Sequence, residues 1–484
     1  IYAHNSAVYL EAQFASFKAR TVPINVNYRY VEHELSYLFD NGDVEAVFFD
    51  ARFAHRLASI RDRLPDVKLF IRIDDGTDGH LDGALDFEGL IASNPPLPRL
   101  DYSEDDIYMI YTGGTTGMPK GVMYRHGDLT RGIASALLGP EVEPTPELLQ
   151  TVVLGLNATK AAPISLPACP LMHGTGMWIG AFFAHFAGGA VATISDEKFD
   201  PHAIWAFVGR ENVSAIAIVG DAFAKPMLAA LREADARGQR YDLPSLKVIG
   251  SSGVMFSSEV KRGLLEYLDI EIRDSIGSTE GAMGGSVVSR TLPPVETARF
   301  AFNPTTRVFN DRDEPIPPGS DEIGMIANGG VVPVGYYKDP EKSARTFRTI
   351  NGERYAFPGD FAQVAADGSL ILLGRGSVCI NTGGEKVFPE EVEEALKAHE
   401  TVWDALVVGV PDERFGERVV GVIAPQPGSL IDQSGLIDFV RSRLAGYKMP
   451  RQLVVVETVQ RAANGKADYK WAKTVALDAV SATA

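Results

Sequence analysis

Apolar residues first fall at roughly helical spacing in residues 7–19, where Val8, Leu10, Phe14 and Phe17 recur on one face. Pro23 is expected to end that helix. Residues 31–39 repeat the pattern, Asn41-Gly42 reads as a turn and Val44–Phe49 as a strand. The alternation returns in Ile204–Phe207 then Ala215–Val219, and in Val260–Leu268 then Glu271–Ser275. Helices alternating with apolar strands predict a layered α/β architecture. Asp106–Tyr111 is apolar and aromatic, suited to a buried strand. Residues 174–194 are long and uncharged, enough in length for a membrane helix. Their glycines and His185 favour a buried helix and strand instead.

The texture changes after residue 373. Residues 389–397 begin with proline and acids and end near Lys397, an order that suits the helix dipole. Val402–Val410 and Gly421–Ala424 read as strands and Leu436–Leu444 as a helix. This predicts a compact α+β unit of about a hundred residues, near the usual minimum for a domain. The boundary is placed at Gly374-Arg375, dividing the chain into 1–373 and 374–484. Asn94-Pro-Pro-Leu-Pro98 is read as a stiff linker rather than a boundary.

Composition adds constraints. The chain has 484 residues, 45% hydrophobic and 23% charged, so a large core needs no disulfide or metal staple. Its two cysteines, Cys169 and Cys379, lie far apart at neither metal nor redox spacing, which fits a reducing cytoplasm. A formal charge of −17 argues against nucleic acid as a partner. The first residue is Ile1 rather than methionine, and a further N-terminal segment is expected.

Residues 111–121 read Tyr-Thr-Gly-Gly-Thr-Thr-Gly-Met-Pro-Lys-Gly. Such a loop offers amide groups, the hydroxyls of Thr112, Thr115 and Thr116, and the Lys120 amine to a polyphosphate. A P-loop nucleotidase needs a hydroxyl directly after the lysine, and Gly121 stands there. Further on, Asp274-Ser-Ile-Gly-Ser-Thr-Glu280 follows a strand, so Thr279 could bond a phosphate oxygen and Glu280 could ligate magnesium. Alone, that pair is more often a helix cap. Tyr355-Ala-Phe-Pro-Gly-Asp360 ends in a carboxylate able to accept both hydroxyls of a ribose, although by itself it reads as a turn. Gly374-Arg375, then Asn381-Thr-Gly-Gly-Glu-Lys386, then Arg461-Ala-Ala-Asn-Gly-Lys466 complete the series.

These segments, in this order and across the whole chain, resemble the adenylate-forming enzymes: acyl-CoA synthetases, luciferases and peptide-synthetase adenylation domains. The resemblance implies a large adenylation domain and a small mobile C-terminal lid. It assigns ATP to Thr112, Gly113, Gly114, Thr115, Thr116, Lys120, Ser252, Gly253, Asp274, Ser275, Gly277, Ser278, Asp360 and Arg375. It makes Lys466, Glu280 and Thr279 catalytic, with Glu280 holding Mg2+. His173, within Pro170-Leu-Met-His173, and Gly281 would border the acyl group, and Gly383 and Gly384 the coenzyme A arm. Three departures stand out. Ile276 replaces the usual adenine-stacking aromatic, Pro358 replaces a threonine, and Ser377 stands at the hinge where relatives carry a charge.

The expected activity is ATP-dependent: acid to acyl-AMP, then to the thioester of coenzyme A, with release of AMP and pyrophosphate. Residues 281–285, Gly-Ala-Met-Gly-Gly, nearly lack bulk and charge, which suggests an apolar acid of medium length or more. The chain looks most like bacterial fatty-acyl-CoA ligases, including those for steroid side-chain acids. A ligase that hands acyl-AMP to a carrier protein, and a luciferase-like oxygenase, share these motifs. The implied partners are small molecules, with room for a homodimer.

Overall fold

The computed structural model describes all residues except 113–117, 140–141, 195–197, 294–298, 383–384, 413–415, 445, 462–464 and 482–484. Among the described residues, one sheet of thirteen strands forms the spine of the large domain. Its first half is parallel. Ile164–Pro167, Ala215–Ile218, Val248–Ser252 and Glu271–Ser278 lie side by side with helices returning between them. Its second half is antiparallel, continuing through Gly281–Val288, Arg299–Phe302, Leu370–Arg375 and Asp360–Val364. The reversal at Glu271–Ser278 is where a crevice opens at strand ends in α/β folds. Parallel strands buried on both faces explain the near-continuous apolar runs in this part of the sequence.

The large domain and the small one have separate cores. Trp205, Ile216, Ile249 and Ile272 are almost fully buried in the first, and Val407, Ile423 and Leu436 in the second. The small domain's sheet carries five described strands, among them the long pair Val402–Asp412 and Gly416–Pro425. The chain leaves the large sheet at Arg375 and enters the small one at Ile380, with a single 3-10 turn, Gly376–Val378, between them.

Several elements differ in detail from the sequence pattern. The first helix, Ala7–Lys18, stops well before Pro23, because Arg20 takes a left-handed φ of 56°. Within residues 174–194 the chain forms π-helix over Thr175–Phe182, α-helix over Phe183–Phe186 and a short strand at Ala190–Val191. Glycine lets this helix press against its neighbours. A Cβ on Gly176 would stand 2.2 Å from the Pro170 carbonyl oxygen, and one on Gly180 2.8 Å from Pro167 Cβ. No described helix is long and apolar enough to cross a membrane.

Candidate active site

The phosphate-loop segment joins two antiparallel strands, Ile107–Thr112 and Lys120–Arg125, so Thr112 and Lys120 face each other at its base. Residues Gly113, Gly114, Thr115 and Thr116 lie outside the described residues. Asn25 braces the base. Its side chain accepts from Tyr111 N at 2.6 Å and donates to the carbonyls of Tyr111 at 2.9 Å and Met172 at 2.6 Å. That three-way clamp ties the loop to His173, the next residue after Met172.

Lys120 pairs with Asp339, which also caps the helix Pro340–Thr346. Thr279 and Glu280 form the tip of the hairpin between Glu271–Ser278 and Gly281–Val288. Tyr124 fixes this tip by donating its hydroxyl to the Thr279 carbonyl at 2.8 Å. Gly281 is required here, because φ is +152° and a Cβ would meet Asn328 Nδ2 at 2.1 Å. The Glu280 carboxylate is buried and accepts from Tyr336 Oη at 2.6 Å. Lys342 stands over the Tyr336 ring, 4.9 Å from its centroid, and burial and Lys120 hold its pKa down while Glu280 pulls it up. Lys120, Asp339, Lys342 and Glu280 thus form one charged group.

A cavity of about 980 Å³ lies beside Thr112 and Thr279. Thr112, His173, Ser252, Gly253, Ser275, Gly277, Ser278, Thr279 and Gly281 all line it. So does Lys466, which reaches it from the small domain. The cavity also carries Ile276, which contributes an apolar wall. Leu129, Ile133 and Ala136 of the helix His126–Leu138, with Phe183 and Val331, add apolar lining. Among the described residues, His173 Nε2 has no hydrogen-bond partner. Burial first, then the charges of Lys466 and Arg29, push its pKa down to about 4, so the imidazole is neutral at neutral pH.

Lys120, Glu280 and Asp360 are not among the lining residues. Asp360 opens the strand Asp360–Val364 and lies directly opposite Arg375 across the antiparallel pair. Gly383 and Gly384 fall outside the described residues; the strands flanking them, Ile380–Thr382 and Glu385–Val387, pair as a hairpin. Ser377 sits in the 3-10 turn.

Asp274 corrects the sequence expectation. Its carboxylate is buried in an ion pair with Lys261 at 2.7 Å, with 4% and 2% of the two side chains exposed. Burial raises its pKa to about 6 against the pull of Lys261. A charge consumed this way holds a helix to a strand and is not offered to a nucleotide. The sequence reading also missed Tyr336, Asp339 and Lys342, although Asp339-Pro340 carries a helix-start signal.

The AMP-binding enzyme family matches residues 1–337, and the AMP-binding enzyme C-terminal domain matches residues 391–466. A 3-oxocholest-4-en-26-oate–CoA ligase of Rhodococcus rhodochrous is 44% identical over 98% of this chain and 85% of its own length. The medium-chain acyl-CoA ligase Mig of Mycobacterium avium is 39% identical over 99% of this chain and 86% of its own. Among solved structures, the anthranilate CoA ligase AuaEII with anthranoyl-AMP superposes with a TM-score of 0.82 at 22% identity, covering 99% of this chain and 87% of that one. With a charged phosphate-loop cluster, a long cavity and a lysine delivered from a second domain, the chain belongs to the AMP-binding enzyme family.

Proposed function

We propose that this protein is an ATP-dependent acyl-CoA ligase acting on an apolar carboxylic acid. One observation carries the reading: a single cavity joins the phosphate-loop base, the hairpin at Thr279, the small-domain Lys466 and an apolar wall. A carboxylate is a poor electrophile. It must meet the α-phosphorus of ATP while the negative charges of both are screened, and a lysine entering between them does this. Neutral His173 beside Lys466 adds no competing positive charge and leaves a ring nitrogen for the acid or the phosphate.

Asp360 and Arg375, which face each other across one strand pair, are the residues this reading gives to the ribose. Thr279 faces the cavity as a phosphate donor. Lys120 and Lys342 supply positive charge where pyrophosphate forms. Glu280 is the carboxylate this reading gives to Mg2+. One carboxylate beside nucleotide phosphates suits a hard octahedral cation. That ion would neutralise the departing pyrophosphate.

The wall from Leu129 to Ala136, with Phe183 and Val331, favours medium, long or ring-bearing apolar acids over small polar ones. This fits the substrates named for the relatives. The test is incubation with ATP, coenzyme A and acids of increasing apolar length, read by mass spectrometry. Thioester and AMP should appear with decanoate and longer acids and fall away for acetate. Preference for acetate, or formation of ADP, would refute the reading.

A further inference from the structure

The small domain is held against the large one through Lys225. This residue lies on the helix Gly220–Ala236. Its ammonium donates to the carbonyl of Trp403 at 2.6 Å and stands 5.4 Å from the centroid of the Trp403 indole. Trp403 is the second residue of the long strand Val402–Asp412 of the small domain. The next residue, Asp404, receives Arg461 in a two-pronged pair, 2.6 Å at each oxygen. Arg461 also donates from Nη1 to the Gly465 carbonyl at 3.1 Å. Gly465 directly precedes Lys466. Its φ is +73°, and a Cβ there would stand 2.9 Å from Ala222 Cβ, on the same helix as Lys225. Gly465, next to Lys466, thus rests on the first turn of that helix, and Lys225 grips the strand at Trp403.

We propose that Lys225 is a positioning residue for adenylation: it latches the small domain, through Trp403, Asp404 and Arg461, in the orientation that delivers Lys466. The inference rests on the ligase reading above. The hinge turn Gly376-Ser377-Val378 has no charged side chain that could hold an orientation by pairing, so the hold must come from the domain contact. The latch can also let go. Asp221 Oδ2 is buried without a hydrogen-bond partner among the described residues, 3.9 Å from the Lys225 ammonium. When the small domain turns away, the ammonium loses the Trp403 carbonyl and closes on Asp221, so release strands no buried charge.

The test uses the full chain with Lys225→Met, which keeps the apolar stem and removes the donor. Two rates are measured: pyrophosphate release from decanoate and ATP, and thioester formation from supplied decanoyl-AMP and coenzyme A. The first should fall about tenfold, the effect expected for losing a charge-assisted hydrogen bond. The second should stay within about twofold, because it uses the other orientation. Lys225→Arg, which restores a donor, should recover most of the first rate. Thioester formation draws on the same cavity and so reports that the variant is folded. Equal loss in both rates, or no loss in the first, overturns the latch. Wild-type protein inactive in both assays overturns the ligase reading and the latch with it.

Discussion

Lys466→Ala should cut adenylate formation by roughly a hundredfold or more, the loss typical of removing one group that stabilises developing charge. Thioester formation from supplied acyl-AMP should survive. The reason lies in where the residue sits. Lys466 lines the cavity from the small domain, near enough to His173 to lower its pKa. In adenylation two anions approach each other, and only a cation between them lowers that barrier. In the second step a thiol attacks an uncharged anhydride carbonyl, and the need disappears. Lys466→Arg keeps charge but not shape, since a planar guanidinium cannot replace a compact ammonium in a narrow gap, and should recover only part of the rate. Single-turnover measurement of each half-reaction separates the cases. Equal loss in both would make Lys466 a structural residue.

Ser377→Pro should leave acyl-AMP and pyrophosphate formation nearly normal and abolish thioester production. Proline fixes φ near −65°, which lies within the range of the 3-10 turn that Gly376–Val378 adopts. The substitution is therefore compatible with the orientation described here, in which Lys466 reaches the cavity. It obstructs the dihedral change that would turn the small domain. The consequence is a protein that accumulates bound acyl-AMP, visible by mass spectrometry after quenching. Loss of adenylation as well would place the pivot elsewhere or show misfolding. Undiminished thioester formation would show that the domain does not turn about this residue.

Much of this site was legible because its chemistry sits at strand ends, where sequence order and residue type coincide. Thr112, Thr279, Ser252 and Lys466 were named from motifs, and the fold gathers them into one cavity. Asp360 and Arg375 were both named, but their opposition depends on strand pairing between residues far apart in sequence. Asp274 was misread by adjacency. Side chains alternate along a strand, so a residue next to Ser275 need not share its face. Its partner Lys261 is a buried lysine on an otherwise ordinary helix, and nothing local marks it. The helical and strand alternation gave the layered architecture, yet not the π-helix at Thr175–Phe182, which arises from close packing at Gly176 and Gly180. Lys225 was invisible for the same reason: its partner lies 178 residues away, in another domain.

The central claim is that the acid passes through a mixed anhydride with AMP before it meets the thiol. Decanoate labelled with heavy oxygen at both carboxyl positions tests it directly, with ATP and coenzyme A as the other reactants. The carboxylate oxygen that attacks the α-phosphorus must leave with the nucleotide. The account predicts AMP carrying one heavy oxygen and a thioester carrying the other. Unlabelled AMP, or label found in phosphate or pyrophosphate, would contradict it.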